Sequence, residues 1–134
     1  MRSIKELSKI DCFDVKWLKI PDDFIIFKEH LLSQKKVLTI DEWCEWKSIG
    51  IDYCGLIINQ KMVARSCVER YSENKWETAD VRVLPSERGK GYGKQVVYFV
   101  TKYILDKGKI ATCRTNINNK PMQKLILSLG FKLI

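Results

Sequence analysis

The sequence predicts an α/β fold, a mixed but mostly antiparallel sheet with helices packed on it. Three observations carry this. Residues 51–84 hold three β-rich runs separated by short polar turns, and the last run alternates apolar Ala79, Val81 and Val83 with polar Asp80 and Arg82. A glycine-rich turn, Arg88-Gly89-Lys90-Gly91-Tyr92-Gly93-Lys94, follows at once. Beyond it Val96, Val97, Val100, Tyr103 and Ile104 recur at spacings of three and four up to Gly108, the pattern of an amphipathic helix with a glycine stop.

The elements read in order as follows. In residues 1–20 the apolar positions fit helix and strand equally. Pro21-Asp22-Asp23 is a turn, and Phe24, Phe27 and Leu31 predict a short helix to about Ser33. Val37–Ile40 is an extended link, Asp41 is positioned to cap a helix over 42–49, and Gly50 closes it. Ile51–Ile58 is a strand, Asn59-Gln60-Lys61 a turn, and Met62–Tyr71 its antiparallel partner. Ser72–Lys75 turns the chain into the strand that begins at Trp76 and ends before Pro85. After the helix, Lys109–Thr115 forms a strand reached by a right-handed parallel crossover. Asn116–Lys120 is a polar turn, Pro121 opens a helix whose buried face is Met122, Leu125, Ile126 and Leu129, and Gly130 stops it before a last strand from Phe131.

At 134 residues the chain is read as a single domain spanning 1–134, with enough length for a core free of metal or disulfide staples. No apolar run approaches the ~20 residues of a membrane span and no signal-peptide core precedes the fold, so a cytoplasmic location is the expectation. The five cysteines are scattered without a CxxC pair, and His30 is the lone histidine, so no metal site is expected. The net charge of +8 lies entirely in the second part: residues 1–85 hold fourteen Lys/Arg and fourteen Asp/Glu, whereas residues 86–134 hold ten against two. Such a field attracts a polyanion. No RNA-recognition aromatic pattern or zinc finger accompanies it, which argues against a nucleic-acid partner.

A strand, a glycine-rich turn and a helix set a row of free backbone N–H groups at the positive end of a helix, an anion site made mostly of main chain. Its spacing separates it from two other phosphate loops. A dinucleotide fingerprint needs Gly or Ala three positions after its second glycine, where Lys94 and Val96 stand, and a mononucleotide loop needs Ser or Thr after the lysine, where Gln95 stands. A basic surface turn whose glycines relieve strain is the plain alternative.

What remains, Arg88-x-x-Gly91-x-Gly93 after a strand, resembles the pyrophosphate loop of the GNAT N-acetyltransferases. Asn119-x-x-Met122-x-x-Leu125-Ile126-x-x-x-Gly130-Phe131 resembles that family's other recurring segment, and Trp76-Glu77 and Cys113-Arg114-Thr115-Asn116 are similar to the openings and ends of its fourth and fifth strands. The resemblance covers Tyr53–Ile134 and leaves residues 1–50 weakly assigned. It implies a GNAT-like fold with helices on both faces, its fourth and fifth strands splayed to admit acetyl-coenzyme A as cosubstrate. It implies that Val83 and Leu84 line the pantetheine arm, that the N–H groups of Arg88, Gly89, Lys90, Gly91, Tyr92, Gly93 and Lys94 hold the pyrophosphate, and that Asn119 lies near the pantetheine or adenosine portion. As a plain alternative, Asn119 is a helix cap.

The family resemblance also places Glu77 where some members carry the carboxylate general base, on the same strand parity as Ala79, Val81 and Val83, with burial beside Trp76 raising its pKa. A cross-strand salt bridge to Arg70 or Lys61 is the equal alternative. Ile126 stands where many relatives carry the Tyr that protonates the departing thiolate, and it has no proton to give; Cys113 reads as a buried strand thiol, and His30 as a helix C-terminal cap. Trp43, Trp46 and Tyr53 fit either an acceptor pocket or the core. The implied activity is acetyl transfer to a primary amine of a small molecule or protein, with a noncatalytic coenzyme sensor as the alternative. The family's seventh strand, which inserts beside the fifth, has no counterpart before Ile134. The edge so exposed is filled by the amino-terminal region or by a second chain, with a homodimer preferred.

Overall fold

The computed structural model describes residues 2–4 and 10–133. In chain order it contains strands β1 (Arg2–Ile4) and β2 (Val15–Trp17), helices α1 (Phe24–Leu32) and α2 (Ile40–Ser48), and strands β3 (Ile51–Ile58), β4 (Lys61–Glu69) and β5 (Lys75–Val83). A single 3₁₀ turn over Pro85–Glu87 leads into α3 (Tyr92–Asp106), β6 (Ile110–Cys113), α4 (Lys120–Leu129) and β7 (Lys132–Leu133). The strands form one sheet in the order β2-β3-β4-β5-β6-β1-β7. Every pairing is antiparallel except β5 with β6, the pair joined by the helical crossover.

Local chemistry explains the elements. Asn59 and Gln60 both have positive φ, 51° and 64°, the twist a two-residue hairpin needs between β3 and β4. The α2 cap differs from expectation: Thr39, in extended conformation, accepts from the Glu42 N–H at 3.1 Å, and Asp41 lies inside the first turn. Thr39 wins because its backbone is extended there, as a cap requires, whereas Asp41 is already helical.

Helices cover both faces. Val96, Val100 and Ile104 of α3 and Ile126 and Leu129 of α4 pack on Leu56, Ala64 and Val68 of the sheet, all nearly or wholly buried. Full burial of such a side chain contributes about 1.5–3 kcal/mol. On the other face Phe27 and Leu31 of α1 and Trp43 of α2 pack with Leu38 and Met62. Among the described residues no helix is long and apolar enough to cross a membrane.

Two features of the sheet position the site. The β5–β6 ladder holds for Lys75–Ile110, Trp76–Ala111 and Glu77–Thr112 and then stops, so β5 runs from Thr78 to Val83 with no strand on its β6 side. The edge of β6 away from β5 is filled by β1, paired Arg2–Cys113, Ser3–Thr112 and Ile4–Ala111. Among the described residues that edge of β6 is therefore taken by the amino-terminal segment, one of the two expected fillings.

Candidate active site

Leu84 and the Pro85–Glu87 turn carry the chain off β5 into the glycine loop. Gly89 and Gly91 hold φ of 81° and 83°, and a Cβ at either would meet nothing within 4 Å. What these positions demand is a left-handed backbone, not space. Gly93 is different: its Cβ would stand 3.2 Å from Leu125 Cδ1 and 3.4 Å from Val83 Cγ2, so its bareness lets the first turn of α3 close on β5 and α4. Gly91 is the α3 cap and offers no side chain to the helix N–H groups. Among the described residues no hydrogen bond outside the regular elements uses an N–H from Arg88 to Lys94. The loop presents unspent donors at the positive end of a fifteen-residue helix.

These donors border a cleft of about 420 Å³ lined by Val83, Arg88, Gly89, Gly91, Tyr92, Gly93, Lys94 and Asn119, together with Val81, Met122 and Leu125. Two expected residues lie elsewhere. Lys90 does not line the cleft but pairs at 2.8 Å with Glu87, which does, and Leu84 is buried with its N–H given to Val63 O at 2.9 Å. Asn119 is the α4 cap, its Oδ1 accepting from the Met122 N–H at 3.2 Å, while it borders the cleft.

A second cleft, about 170 Å³, occupies the fork where β5 and β6 part; Thr78 to Arg82 form one wall and Cys113 to Asn116 the other. It shares Val81, Arg82, Asn119 and Met122 with the first, so the two clefts adjoin along the open edge of β5.

The middle of β5 departs from simple alternation. Cys67 pairs with Ala79 but Arg65 pairs with Arg82, so one extra residue bulges from β5. Asp80 carries it, at φ 49°. Trp76 and Thr78 face α3, where the Thr78 and Thr101 hydroxyls lie 2.9 Å apart, and Val81 and Val83 join the same core. Glu77 and Ala79 therefore face the α1/α2 side, and the expected shared parity of Glu77 with Val81 and Val83 is corrected by the bulge. Asp80 faces that side too. Arg65, with no solvent exposure, donates to it from Nε and Nη2, both at 3.1 Å, and from Nη1 to Gln34 Oε1 at 2.6 Å; Tyr53 OH donates to Asp80 at 2.6 Å. Burial alone would raise the Asp80 carboxyl, but these bonds outweigh it and hold it below the usual carboxylate range.

Glu77 is 8% exposed at the last rung of the β5–β6 ladder. Its partner is Arg114, Nε to Oε1 at 3.1 Å, and neither Arg70 nor Lys61. Arg70 is held by Asp52 at 2.7 Å and by Tyr103, and its guanidinium stacks on the Trp76 ring. Burial pushes the Glu77 carboxyl above its ordinary range; Arg114 draws it partly back, and Glu69, directly across on β4, adds to the rise.

Ile126 is fully buried among hydrocarbon and Cys113 is 1% exposed, its thiol pushed up to about 12 by burial and then by Glu77. His30 is not a helix cap: it is buried, with Nδ1 donating to Met62 O at 3.0 Å, because α1 turns that position onto β4. Trp43, Trp46 and Tyr53 gather around Phe27, at ring-centroid separations of 5.1, 6.4 and 4.9 Å, as core aromatics. A further cavity of about 530 Å³, with Trp17, Trp43, Asp52, Arg70 and Tyr103 in its walls, takes in none of the loop or fork residues. Among the described residues no three His, Cys, Asp or Glu side chains are grouped to hold a metal. Sequence reasoning did not find the Arg65–Asp80 anchor or the Arg114 contact. Strand alternation hides a bulge, and a residue after a strand end has no register to read.

A sheet forked beside a helix N-terminus whose N–H groups are unspent can hold an extended ligand that carries a phosphate. Residues 17–131 match the Acetyltransferase (GNAT) family, and the chain belongs to it. It is thus an acetyltransferase with acetyl-coenzyme A as cosubstrate. No curated protein sequence matches the chain. Among solved structures it is similar to a GNAT-family protein from Novosphingobium aromaticivorans, with a TM-score of 0.76 and 19% identity over 99% of this chain and 58% of that one. It is also similar to AAC(6')-Iy, solved with the bisubstrate analog CoA-S-monomethyl-acetylneamine, with a TM-score of 0.73 and 16% identity over 90% of each chain. Glucosamine-6-phosphate N-acetyltransferase from Arabidopsis thaliana gives a TM-score of 0.67 and 22% identity over 90% of this chain and 92% of that one.

Proposed function

We propose that the chain moves the acetyl group of acetyl-coenzyme A to a primary amine by direct attack, with Glu77 as general base. The observation that carries this is the pair of adjoining clefts that run from the unspent loop N–H groups, along the unpaired edge of β5, to the fork next to Glu77. The N–H groups of Gly89 to Lys94, with Arg88 and Lys94, hold the pyrophosphate. The free main-chain groups of Thr78 to Val83 pair with the pantetheine amides as a missing strand would. This leads the thioester to the fork.

There the amine nitrogen attacks the thioester carbonyl; the C–N bond forms and the C–S bond breaks as the thiolate leaves. The proton lost by the nitrogen passes to Glu77, directly or through water, which its raised pKa suits. Ile126 supplies no proton, so water protonates the thiolate, a tolerable leaving group. Calorimetry with acetyl-coenzyme A and a thiol-release assay over an amine panel test the reading. Saturable binding with amine-dependent thiol release is expected, and a folded sample that does not bind the cosubstrate would sink it.

A further inference from the structure

The fork cleft carries a charge pattern that the acyl donor does not use. Its walls include Arg82, Arg114 and one carboxylate, Asp80. That carboxylate is committed: Arg65 takes both its oxygens and Tyr53 donates to it as well. The cleft wall therefore includes two arginines and no carboxylate without a partner. Arg82 also borders the loop cleft, where the pyrophosphate can share it, but Arg114 borders the fork alone.

Arg114 also stands in the way of the proposed base. Glu77 is nearly buried and is not part of the cleft wall, whereas the Arg114 side chain is 66% exposed, with its Nε 3.1 Å from Glu77 Oε1. Beside Nε the guanidinium carries two Nη groups, each with two N–H donors. A guanidinium binds carboxylate and phosphate through such paired donors. One end of this pair, Glu77, is nearly buried; the other, Arg114, lies in solvent where an anionic ligand can reach it.

We propose that Arg114 selects the acceptor: it binds a carboxylate or phosphate on the incoming amine, and in turning to that anion it uncovers Glu77. The acceptor is then an amine that bears an anionic group. This deepens the acetyl-transfer reading above and rests on it. No bond is made or broken in the exchange; one ion pair replaces another, and the freed carboxylate meets the amine whose proton it will take.

The test follows the Glu77 side-chain carboxyl by carbon NMR titration in the full chain, with coenzyme A saturating the loop. Inorganic phosphate is the probe, against chloride at equal ionic strength. In the wild type phosphate raises the Glu77 midpoint by about 0.5–1 pH unit, the size expected when a nearby opposite charge is withdrawn. In R114A the midpoint is already raised and does not answer to phosphate, and R114K falls between. With lysine and cadaverine as matched acceptors, the wild type favours the carboxylate-bearing amine in kcat/KM by at least about tenfold, one well-placed ion pair's worth, and R114A loses that preference. A Glu77 midpoint indifferent to phosphate in the wild type, or a response that persists in R114A, overturns the proposal. Failure of coenzyme A to bind would instead remove the acetyl-transfer reading, and the titration repeated without it still reports on Arg114.

Discussion

Arg65 and Asp80 are locked together by two parallel hydrogen bonds of 3.1 Å across β4 and β5, and Asp80 holds the left-handed backbone that makes the bulge in β5. A guanidinium with no solvent exposure is costly unless fully paired. Here it is paired with the residue whose backbone bends the strand at the fork, and through Gln34 with the segment after α1. The pair joins the segment after α1 to the unpaired stretch of β5.

Removing one partner should be severe. D80A leaves Arg65 buried and uncompensated and places a Cβ-bearing residue at φ 49°, and we expect a loss of about 3 kcal/mol or more in chemical denaturation. D80G keeps the backbone freedom and loses only the anchor, so it should be less damaged by about 1 kcal/mol. D80N, which tolerates the conformation and keeps one acceptor oxygen, should be mildest. The pH sign is fixed by the depressed Asp80 pKa: its contribution is present above the ordinary carboxylate value near 4 and disappears as pH falls through the lower folded value. Denaturation midpoints measured from pH 5 to 2 should show this loss in the wild type and a smaller one in D80N.

The glycine loop gives a separable prediction. G91A has room for its methyl but not the backbone, since φ is 83° and nothing lies within 4 Å of the added carbon. We expect the loop to relax and affinity for acetyl-coenzyme A to fall by about tenfold, about one unfavourable left-handed residue's worth. G108A carries the same strain at φ 74° with equally open surroundings, but at the far end of α3. It should lower thermal stability and leave affinity intact by calorimetry. Equal affinity losses in both variants would mean that the loop N–H groups do not hold the ligand.

Glu77 must be ionised to accept a proton, and burial raises its pKa while Arg114 opposes and Glu69 reinforces the rise. The acid limb of kcat/KM should therefore lie above the ordinary glutamate value of about 4.3. E77Q should lose the limb and fall by about 10²-fold or more in kcat with little change in acetyl-coenzyme A affinity. Rates across pH 4–9 decide it. An acid limb that survives in E77Q would assign the base elsewhere.

The parts legible in the sequence are those governed by local chemistry. Hairpin turns, the Gly108 and Gly130 stops, the α4 cap and the loop all follow from residues within a few positions of one another. What escaped depends on distant partners. β1 is three residues long and exists because β6 offers it an edge more than a hundred positions away. Alternation of Ala79, Val81 and Val83 suggested one face, yet the extra residue at Asp80 turns Glu77 to the other, and only the register with β4 shows it. Glu77 was singled out from the sequence; its ion-pair partner Arg114 was not, because a residue just past a strand end is placed by the loop's fold and by no period.

His30 gives the last prediction, in a different pH window. Its Nδ1 donates to Met62 O at 3.0 Å, and its Nε2 is buried without a partner among the described residues, so the ring is held neutral. Burial pulls its pKa down to about 4, with Arg65 adding to the fall and the Met62 carbonyl opposing it. A base with a depressed folded pKa contributes stability above its unfolded value of about 6.5 and loses it progressively as pH falls towards the folded one. The wild type should therefore lose up to about 1.4 kcal/mol per pH unit between about 6.5 and 4, before the Asp80 anchor begins to protonate. H30L removes the titrating ring. Whatever its absolute stability without the bond to Met62 O, its denaturation free energy should lose the part of the slope that His30 supplies and fall less steeply than the wild type's across that window, and a slope equal to the wild type's would show that another group titrates there.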